Sequence, residues 1–497
     1  MTLKRQFATG VAWSVLGNGA SNVISFVVFA LVANLVTPVD LGIAAFAIVL
    51  IEVGRLLNGA GLPDLLIQRP EWDDAFASTA FWINLAIGAL LALISSLFIA
   101  PLLDVTFAPG SGLALTVVSV CFVIDALRSA SEAKLRREFN YKGLAARNSL
   151  AGIGGGIVGV AMAFTGWGLW ALIAQRIVHS TLTTILTWSA SGWRPSFVIA
   201  VSELGAMLSS GIRLLGASLL ANLSMRLPDL MLSFLGPVAL AFYRVGARGY
   251  EALIQLIMFP FSGAALSGFS RIAARGESLA SSYIRTTQFA SLLAYPIFFG
   301  AGVTAEQFVK LAFGAQWAES SSIMSLLCVI MGPFMLSYMM KSALTALNRS
   351  HELILIQGAQ AVSVAGAVAL GLPFGPLGVA IALVVRAHIA LLFNLYLLLR
   401  LLDVKPRELL AATLPAYLAA WCMVIVVATA DQFVLVSQPD WIKAVAMILA
   451  GVIIYPLTLW TFWRPHLQEA LYEATTVFPR LERPLKRFIK PRPPRKS

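Results

Sequence analysis

The chain has 497 residues, 59% of them hydrophobic and 12% charged, with a formal net charge of +12. Soluble domains are about 45–50% apolar and about 25% charged, so this composition excludes a soluble globular enzyme and describes a polytopic membrane protein. The positive balance sits in short loops between apolar runs, which excludes nucleic acid as a partner.

Apolar runs of about 20 residues recur along the chain, the length a helix needs to cross a hydrocarbon core of about 30 Å. The pattern predicts an all-α fold of about fourteen transmembrane helices. In the first half they fall near 9–36, 41–66, 77–103, 112–133, 148–166 and 167–190. The run that follows Lys4 and Arg5 is too long for a signal-peptide core, so it reads as the first span. The second half continues near 208–235, 237–268, 284–308, 320–346, 352–372 and 376–400, with two more near 410–430 and 441–463. Trp13, Trp82, Trp167, Trp170, Trp188, Trp193 and Trp441 cluster near span ends, as an aromatic belt requires.

The connections on one side are very short and hold no Lys or Arg: Thr37-Pro38-Val39-Asp40, Phe107-Ala108-Pro109-Gly110 and Gly166-Trp167-Gly168. The other side carries Arg69, Lys134, Arg136, Arg137, Lys142, Arg147, Arg194, Arg271, Arg275, Arg349, Lys405 and Arg407. That asymmetry places the basic loops in the cytoplasm, and an even span count places both termini there. The tail beyond residue 466 interleaves Arg480, Arg483, Lys486, Arg487 and Lys490 with prolines. It reads either as a disordered retention tail or as a segment drawn to anionic membrane lipids. Cys121, Cys328 and Cys422 are far apart within apolar runs, so neither a disulfide framework nor a metal cluster is implied, and no cofactor is expected.

A weak internal repeat organises the spans. Pro38-Val39-Asp40-Leu41 opens the second and Pro237-Val238-Ala239-Leu240 the eighth, and at the same offset Glu52 falls on Glu251. Gly168 with Arg176 echoes Gly378 with Arg386. The repeat divides the chain into six-helix lobes at 1–200 and 201–403, two added helices at 404–465 and the tail at 466–497. Parallel repeats of this kind are typical of transporters with a site between the halves.

Charges inside spans mark that site. An Arg or Asp near a helix centre costs roughly 2.5–3.5 kcal/mol on insertion scales, so such residues normally face water and line a pathway. Arg213, Arg226, Asp229, Arg244, Arg248 and Glu251 crowd the seventh and eighth spans. Arg226 lies roughly 15 Å before the Gly236 turn and Arg244 roughly 12 Å after it, at similar depth. The first half adds Glu52, Arg55, Asp125, Arg128, Arg176 and His179, and the second Lys341, Arg386 and His388. Arg55, Arg213, Arg226, Arg244, Arg248 and Arg386 are the candidate anion-binding residues, since a guanidinium stays charged and its fork matches phosphate oxygens. Glu52, Glu251, Asp229 and Asp125 are either ion-coupling groups or counter-ions. The i, i+3 pairs Glu52–Arg55, Asp125–Arg128 and Arg226–Asp229 also have a purely architectural reading, as self-neutralising buried pairs. His179 and His388 read as packed neutral side chains or as protonation switches. The run Gly154-Gly155-Gly156 fits close helix packing and lacks the Lys-Ser/Thr of a phosphate loop. No Ser-His-Asp set and no large polar loop is available for catalysis.

The chain resembles the polysaccharide transporters, Wzx-type lipid-linked oligosaccharide flippases of the multidrug/oligosaccharidyl-lipid/polysaccharide exporter superfamily. The carrying residues are Gly10-Val11-Ala12-Trp13-Ser14, the Thr37 to Gly42 turn, Leu65-Leu66-Ile67-Gln68-Arg69 and Ser78 to Asn84. Lys134-Leu135-Arg136-Arg137-Glu138-Phe139, the Gly236 to Tyr243 turn and Gly375 to Ala380 complete them. The resemblance implies two six-helix lobes in a V plus two C-terminal helices. It also implies alternating access through a cationic cavity that moves an undecaprenyl-diphosphate-linked oligosaccharide for exopolysaccharide, O-antigen lipopolysaccharide or capsule. Arg55 matches an Arg that recurs in the second helix of such flippases. A polysaccharide polymerase and chain-length machinery are the partners it suggests. The rival within the superfamily is an ion-coupled multidrug antiporter, which needs an acid-dominated cavity for cationic drugs.

Overall fold

The computed structural model describes residues 3–59, 61–69, 71–200 and 225–465, with positions 205, 207, 209 and 468, and side chains from residue 19 onward. Arg213, most of the span expected at 208–235, the basic tail, and the side chains of Lys4, Arg5 and Trp13 lie outside the described residues. Among the described residues there is helix and no strand, so the fold is all-α. Among the described residues, six helices are long and apolar enough to cross a membrane, or up to eight if each of two bent pairs is one span. The protein is a polytopic membrane protein.

Contacts group the chain into two compact units. The first holds Met1–Arg248, Ala312–Gly314 and Ile354–Ala382. Its helices are α1 (Leu3–Leu35), α2 (Pro38–Gly59), α3 (Leu62–Gln68), α4 (Asp74–Ile94), α5 (Ala100–Thr106), α6 (Ser111–Arg137), α7 (Tyr141–Phe164) and α8 (Leu169–Ser191). They are followed by α9 (225–232) and α10 (Pro237–Leu253). Local chemistry sets the ends. Pro38 and Pro237 each open a helix at a position where a missing N–H costs nothing. The Asp73 carboxylate accepts from the backbone N–H of Ala75 and Phe76, and the Asn140 side chain caps Gly143. The α6 C-terminus carries Lys134, Arg136 and Arg137, favourable at the negative end of the helix dipole.

Several spans differ from their expected bounds for local reasons. The second ends at Gly59, because Gly61 adopts φ +70 and the chain restarts as the short α3. The third is one helix of 33 residues, Asp74–Thr106, carried from α4 into α5 through a π turn at Ser95–Ile99. Below it, the indoles of Trp72 and Trp193 both donate to the Asp74 carboxylate, at 2.8 and 2.9 Å. These bonds tie the Gly192–Ala200 strap to the start of α4. Phe313 is fully buried between the rings of Phe26 and Phe29 on α1, and Asn34 donates to the Ala312 carbonyl at 2.7 Å.

The second unit holds Gly249–Leu311, Ala315–Leu353 and Leu383–Ser497. A π turn at Ile254–Met258 joins α10 to α11 (Phe259–Ala273). It continues with α12 (Ala280–Val303), α13 (Ala305–Phe313), α14 (Ser320–Val329), α15 (Met331–Tyr338) and α16 (Met340–Ala346). The span expected at 284–308 instead bends by 71° between α12 and α13, and the one at 320–346 bends by 42° after α14. The helices α17 (Ser350–Gly371) and α18 (Gly375–Leu402) are divided between the units and joined by a 3-10 turn at Leu372–Phe374. The chain closes with α19 (Pro406–Phe433) and α20 (Asp440–Phe462). Buried tyrosines tie this unit together. Tyr283 and Tyr455 donate to the carbonyls of Leu336 and Leu292, so each ring is buried while its hydroxyl stays satisfied.

Candidate functional site

Two cavities lie within the first unit, one above the other along the same helices. The larger, about 580 Å³, is lined by Arg55, Asp64, Asp125, Arg128, Glu132, Arg136, Arg147 and Asn148 among others. The smaller, about 330 Å³, is lined by Asn22, Ser25, Glu52, Gln175, Arg176, Arg244 and Arg248 among others. Ser21 and His179 line both. Three helices give the same order. On α2 the smaller cavity takes residues up to Glu52 and the larger begins at Arg55; on α7 the boundary falls between Asn148 and Gly152. On α8 it falls at His179 itself. The larger cavity therefore sits toward the basic connection between α6 and α7, and the smaller lies deeper; they are the loop-side and inner cavities below.

Among the described residues, seven arginines and four carboxylates line the two. In the loop-side cavity most of the cations share acids. Glu132 holds Arg128 at 3.2 Å, Arg136 at 2.6 Å and Arg147 at 3.0 Å. Asp125 is buried, accepts from Ser180 at 2.6 Å, and pairs with Arg128 at 3.2 Å and Arg176 at 3.8 Å. The Asp125–Arg128 pair is thus formed as the i, i+3 spacing predicts. Arg55 is exposed to its cavity and, among the described residues, makes no ion pair and no hydrogen bond.

The spacing-based pairing of Glu52 with Arg55 is not formed. Glu52 is instead bonded to Arg226 of α9 at 2.7 Å. Arg226 also reaches the buried Asp229 at 3.7 Å, and Arg244 of α10 reaches the same Asp229 oxygen at 3.1 Å. The two arginines placed at similar depth on either side of Gly236 do meet, on one carboxylate. Arg244 lines the inner cavity, whereas Arg226 stands behind it, in the chain Glu52–Arg226–Asp229–Arg244. Arg248 donates to Ser25 of α1 at 2.6 Å and lies 5.4 Å from the Phe29 ring centroid, within cation–π range.

Glu251 and Arg386 belong to the second unit, while the described residues that line the two cavities belong to the first. His388 is exposed, with Nδ1 2.9 Å from the Val384 carbonyl oxygen. His179 is half-buried at the junction of the cavities, with its Cβ packed against Gly155 of α7. The glycine run behaves as close packing. A Cβ on Gly155 would stand 2.9 Å from the Gln175 carbonyl oxygen and 3.0 Å from the His179 Cβ, so α7 and α8 touch backbone to backbone. Arg147 was legible only as a loop cation, yet it is 6% exposed and bonded to Glu132 and Thr187. The signal was Glu132, a lone acid inside the basic run from Arg128 to Arg137.

Removing that acid has a large consequence. Glu132→Ala leaves three guanidinium groups without their shared partner, and stranding a buried ion typically costs about 3–5 kcal/mol. The purified protein in detergent is expected to lose several degrees in thermal midpoint; an unchanged midpoint would contradict the pairing.

Comparison with known proteins gives the chain a family and a fold. A family model described as polysaccharide biosynthesis protein matches residues 31–322. The succinoglycan biosynthesis transport protein ExoT of Rhizobium meliloti (strain 1021) is 24% identical over 323 residues, 65% of each chain. The lipopolysaccharide biosynthesis protein WzxC of Escherichia coli (strain K12) is 22% identical over 344 residues, 66% of this chain and 68% of that one. The chain thus spans about two thirds of the length of these curated relatives. Among solved structures, the lipid II flippase MurJ in an inward closed conformation aligns with a TM-score of 0.77 at 16% identity. That alignment covers 92% of this chain and 99% of the other. A multidrug resistance MATE family transporter of the MOP superfamily, inward-facing, aligns with a TM-score of 0.50 at 15% identity, over 77% and 93%. At such identities the two structures establish a shared fold.

Proposed function

Because this chain belongs to the polysaccharide biosynthesis protein family, we propose that it is a flippase for lipid-linked oligosaccharide repeat units, and not a catalyst. It carries a polyprenyl-diphosphate-linked saccharide from the cytoplasmic to the outer leaflet of the bacterial inner membrane, by alternating access, for a surface polysaccharide. One observation carries the reading: among the described residues, seven arginines against four carboxylates line two stacked cavities in a membrane-embedded unit. A cationic cavity that deep in an apolar chain needs an anion to neutralise it, and a diphosphate is a matched one. Arg55, Arg244 and Arg248, with Arg176, are the proposed contacts. Arg226 sets the geometry of Glu52 and Arg244, and Glu52, Asp229 and Asp125 serve as counter-ions. About fourteen spans, both termini in the cytoplasm, and a downstream polysaccharide polymerase as functional partner complete the proposal. The transport proteins among its relatives support it.

A multidrug antiporter for cationic compounds would need acids in excess, and these cavities have the opposite balance. The test is a deletion strain in which surface polymer and lipid-linked oligosaccharide are both measured. The expected result is lost polymer, with lipid-linked repeat units accumulating on the cytoplasmic face. Unchanged polymer with altered sensitivity to cationic drugs would replace the flippase with the antiporter.

A further inference from the structure

We infer that the turn Ala312–Gly314 is a releasable latch on α1. It holds the inner cavity shut toward the side opposite the basic loops and lets go when that side opens. The inference rests on the alternating-access part of the flippase reading and assigns a gate to named residues.

The reach of the inner cavity along each helix places the closure. On α2 and α8 its lining runs to Leu41 and Leu172, within a turn of the helix starts at Pro38 and Leu169. On α1 it stops at Phe29, about 9 Å short of the helix end at Leu35. These ends flank the connections that hold no Lys or Arg, so they lie away from the basic loops. The part of α1 beyond Phe29 is therefore the wall that closes the cavity on that side.

The turn is fastened to that wall. The Phe313 ring, fully buried, meets Phe29 edge-on with centroids 5.7 Å apart and Phe26 at 5.8 Å. Phe29 also lines the cavity, where the Arg248 guanidinium lies 5.4 Å from its centroid. One ring thus joins the cavity to the latch. Nearer the helix end, Asn34 donates to the Ala312 carbonyl at 2.7 Å. Gly314 permits the turn, since its φ of +102 strains any residue with a side chain, and a Cβ there would stand 2.7 Å from the Asn34 Oδ1.

Three features make the fastening reversible. Between Gly249 and Leu353 only Ala312–Gly314 group with the unit that contains α1, so few residues have to part. The Asn34 bond is exposed, and water replaces such a bond at little net cost. The 71° bend between α12 and α13 supplies a hinge at the other end of α13.

The experiment reads access from each side in the full chain, with Cys422→Ala removing the one exposed cysteine. Ala45→Cys reports on the inner cavity and Ser129→Cys on the loop-side cavity. A membrane-impermeant maleimide labels the first from outside in spheroplasts and the second in inside-out vesicles. With the latch intact, Ala45→Cys should react slowly. Adding Phe313→Ala is expected to raise that rate about tenfold, because two ring contacts are lost. Asn34→Ala, at an exposed position outside the core, should raise it about threefold. The Ser129→Cys rate should not rise, because opening one side does not open the other. No gain at Ala45→Cys with either variant overturns the latch. So does an equal gain at both reporters, which is general loosening. Labelling needs no substrate, and polymer in the deletion strain needs no reporter, so the latch and the flippase reading fail separately.

Discussion

Replacing Arg55 with alanine is expected to abolish polysaccharide export while the protein accumulates normally in the membrane. The contrast with its neighbours is the reason. Arg128, Arg136 and Arg147 are held by Glu132, so removing any of them disturbs an ion-pair cluster and confounds function with folding. Arg55 makes no such pair among the described residues, so its loss strands no buried acid. On the flippase reading, what its loss removes is the contact of a guanidinium with the diphosphate. Truncating one side of a buried charge pair costs about 2–5 kcal/mol or more, which is roughly 30-fold to several thousandfold in affinity. Arg55→Lys should recover part of the activity, because it keeps the charge and loses the planar fork. Surface polymer in a deletion strain complemented with each variant, beside an immunoblot of membranes, measures both effects. Wild-type polymer from Arg55→Ala would remove Arg55 from the site.

The architecture was legible in the sequence because hydropathy and helix punctuation both act locally. Pro38 and Pro237 announce the helices they open, and the basic run from Lys134 to Arg137 announces the end of α6. The partners of the charged residues were not legible in the same way. Spacing on one helix offers Arg55 to Glu52, three residues away, whereas the bond forms with Arg226, which is 174 residues distant in sequence and reaches Glu52 only after the helices pack. Asp125–Arg128 was correctly read because that pair needs nothing beyond its own helix. The bends follow the same logic. Gly302 stands beside the 71° turn at Thr304, but inside an apolar run where glycine also marks close packing, so a hydropathy window runs through it. The stacking of the cavities also needed the structure, because it depends on α2, α7 and α8 aligning Glu52, Gly152 and His179 at one level.

Gly42→Ala is expected to lower transport by about 100-fold with only a modest loss of stability. Gly42 lies on α2 where it crosses the start of α10, and a Cβ there would run into the carbonyl of Pro237, with the Pro237 Cα 2.8 Å away. The obstacle is backbone at a helix start, which no rotamer change relieves, so the first turn of α10 has to move. Overpacking of this kind costs about 1–3 kcal/mol, offset in part by the better helix propensity of Ala, worth up to about 1 kcal/mol. The functional cost is greater, because α2 carries Glu52 and Arg55 while α10 carries Arg244 and Arg248. The crossing fixes the spacing of the groups that line the inner cavity, and a displacement of about 1 Å at a positioned site can cost about 10²-fold in rate. Gly263→Ala on α11 is the matched control, since a Cβ at Gly263 meets nothing within 4 Å. It should be neutral or slightly stabilising. Transport assays and thermal midpoints on both variants separate the two costs. Full transport by Gly42→Ala would mean that the crossing of α2 and α10 does not set the geometry of the arginines.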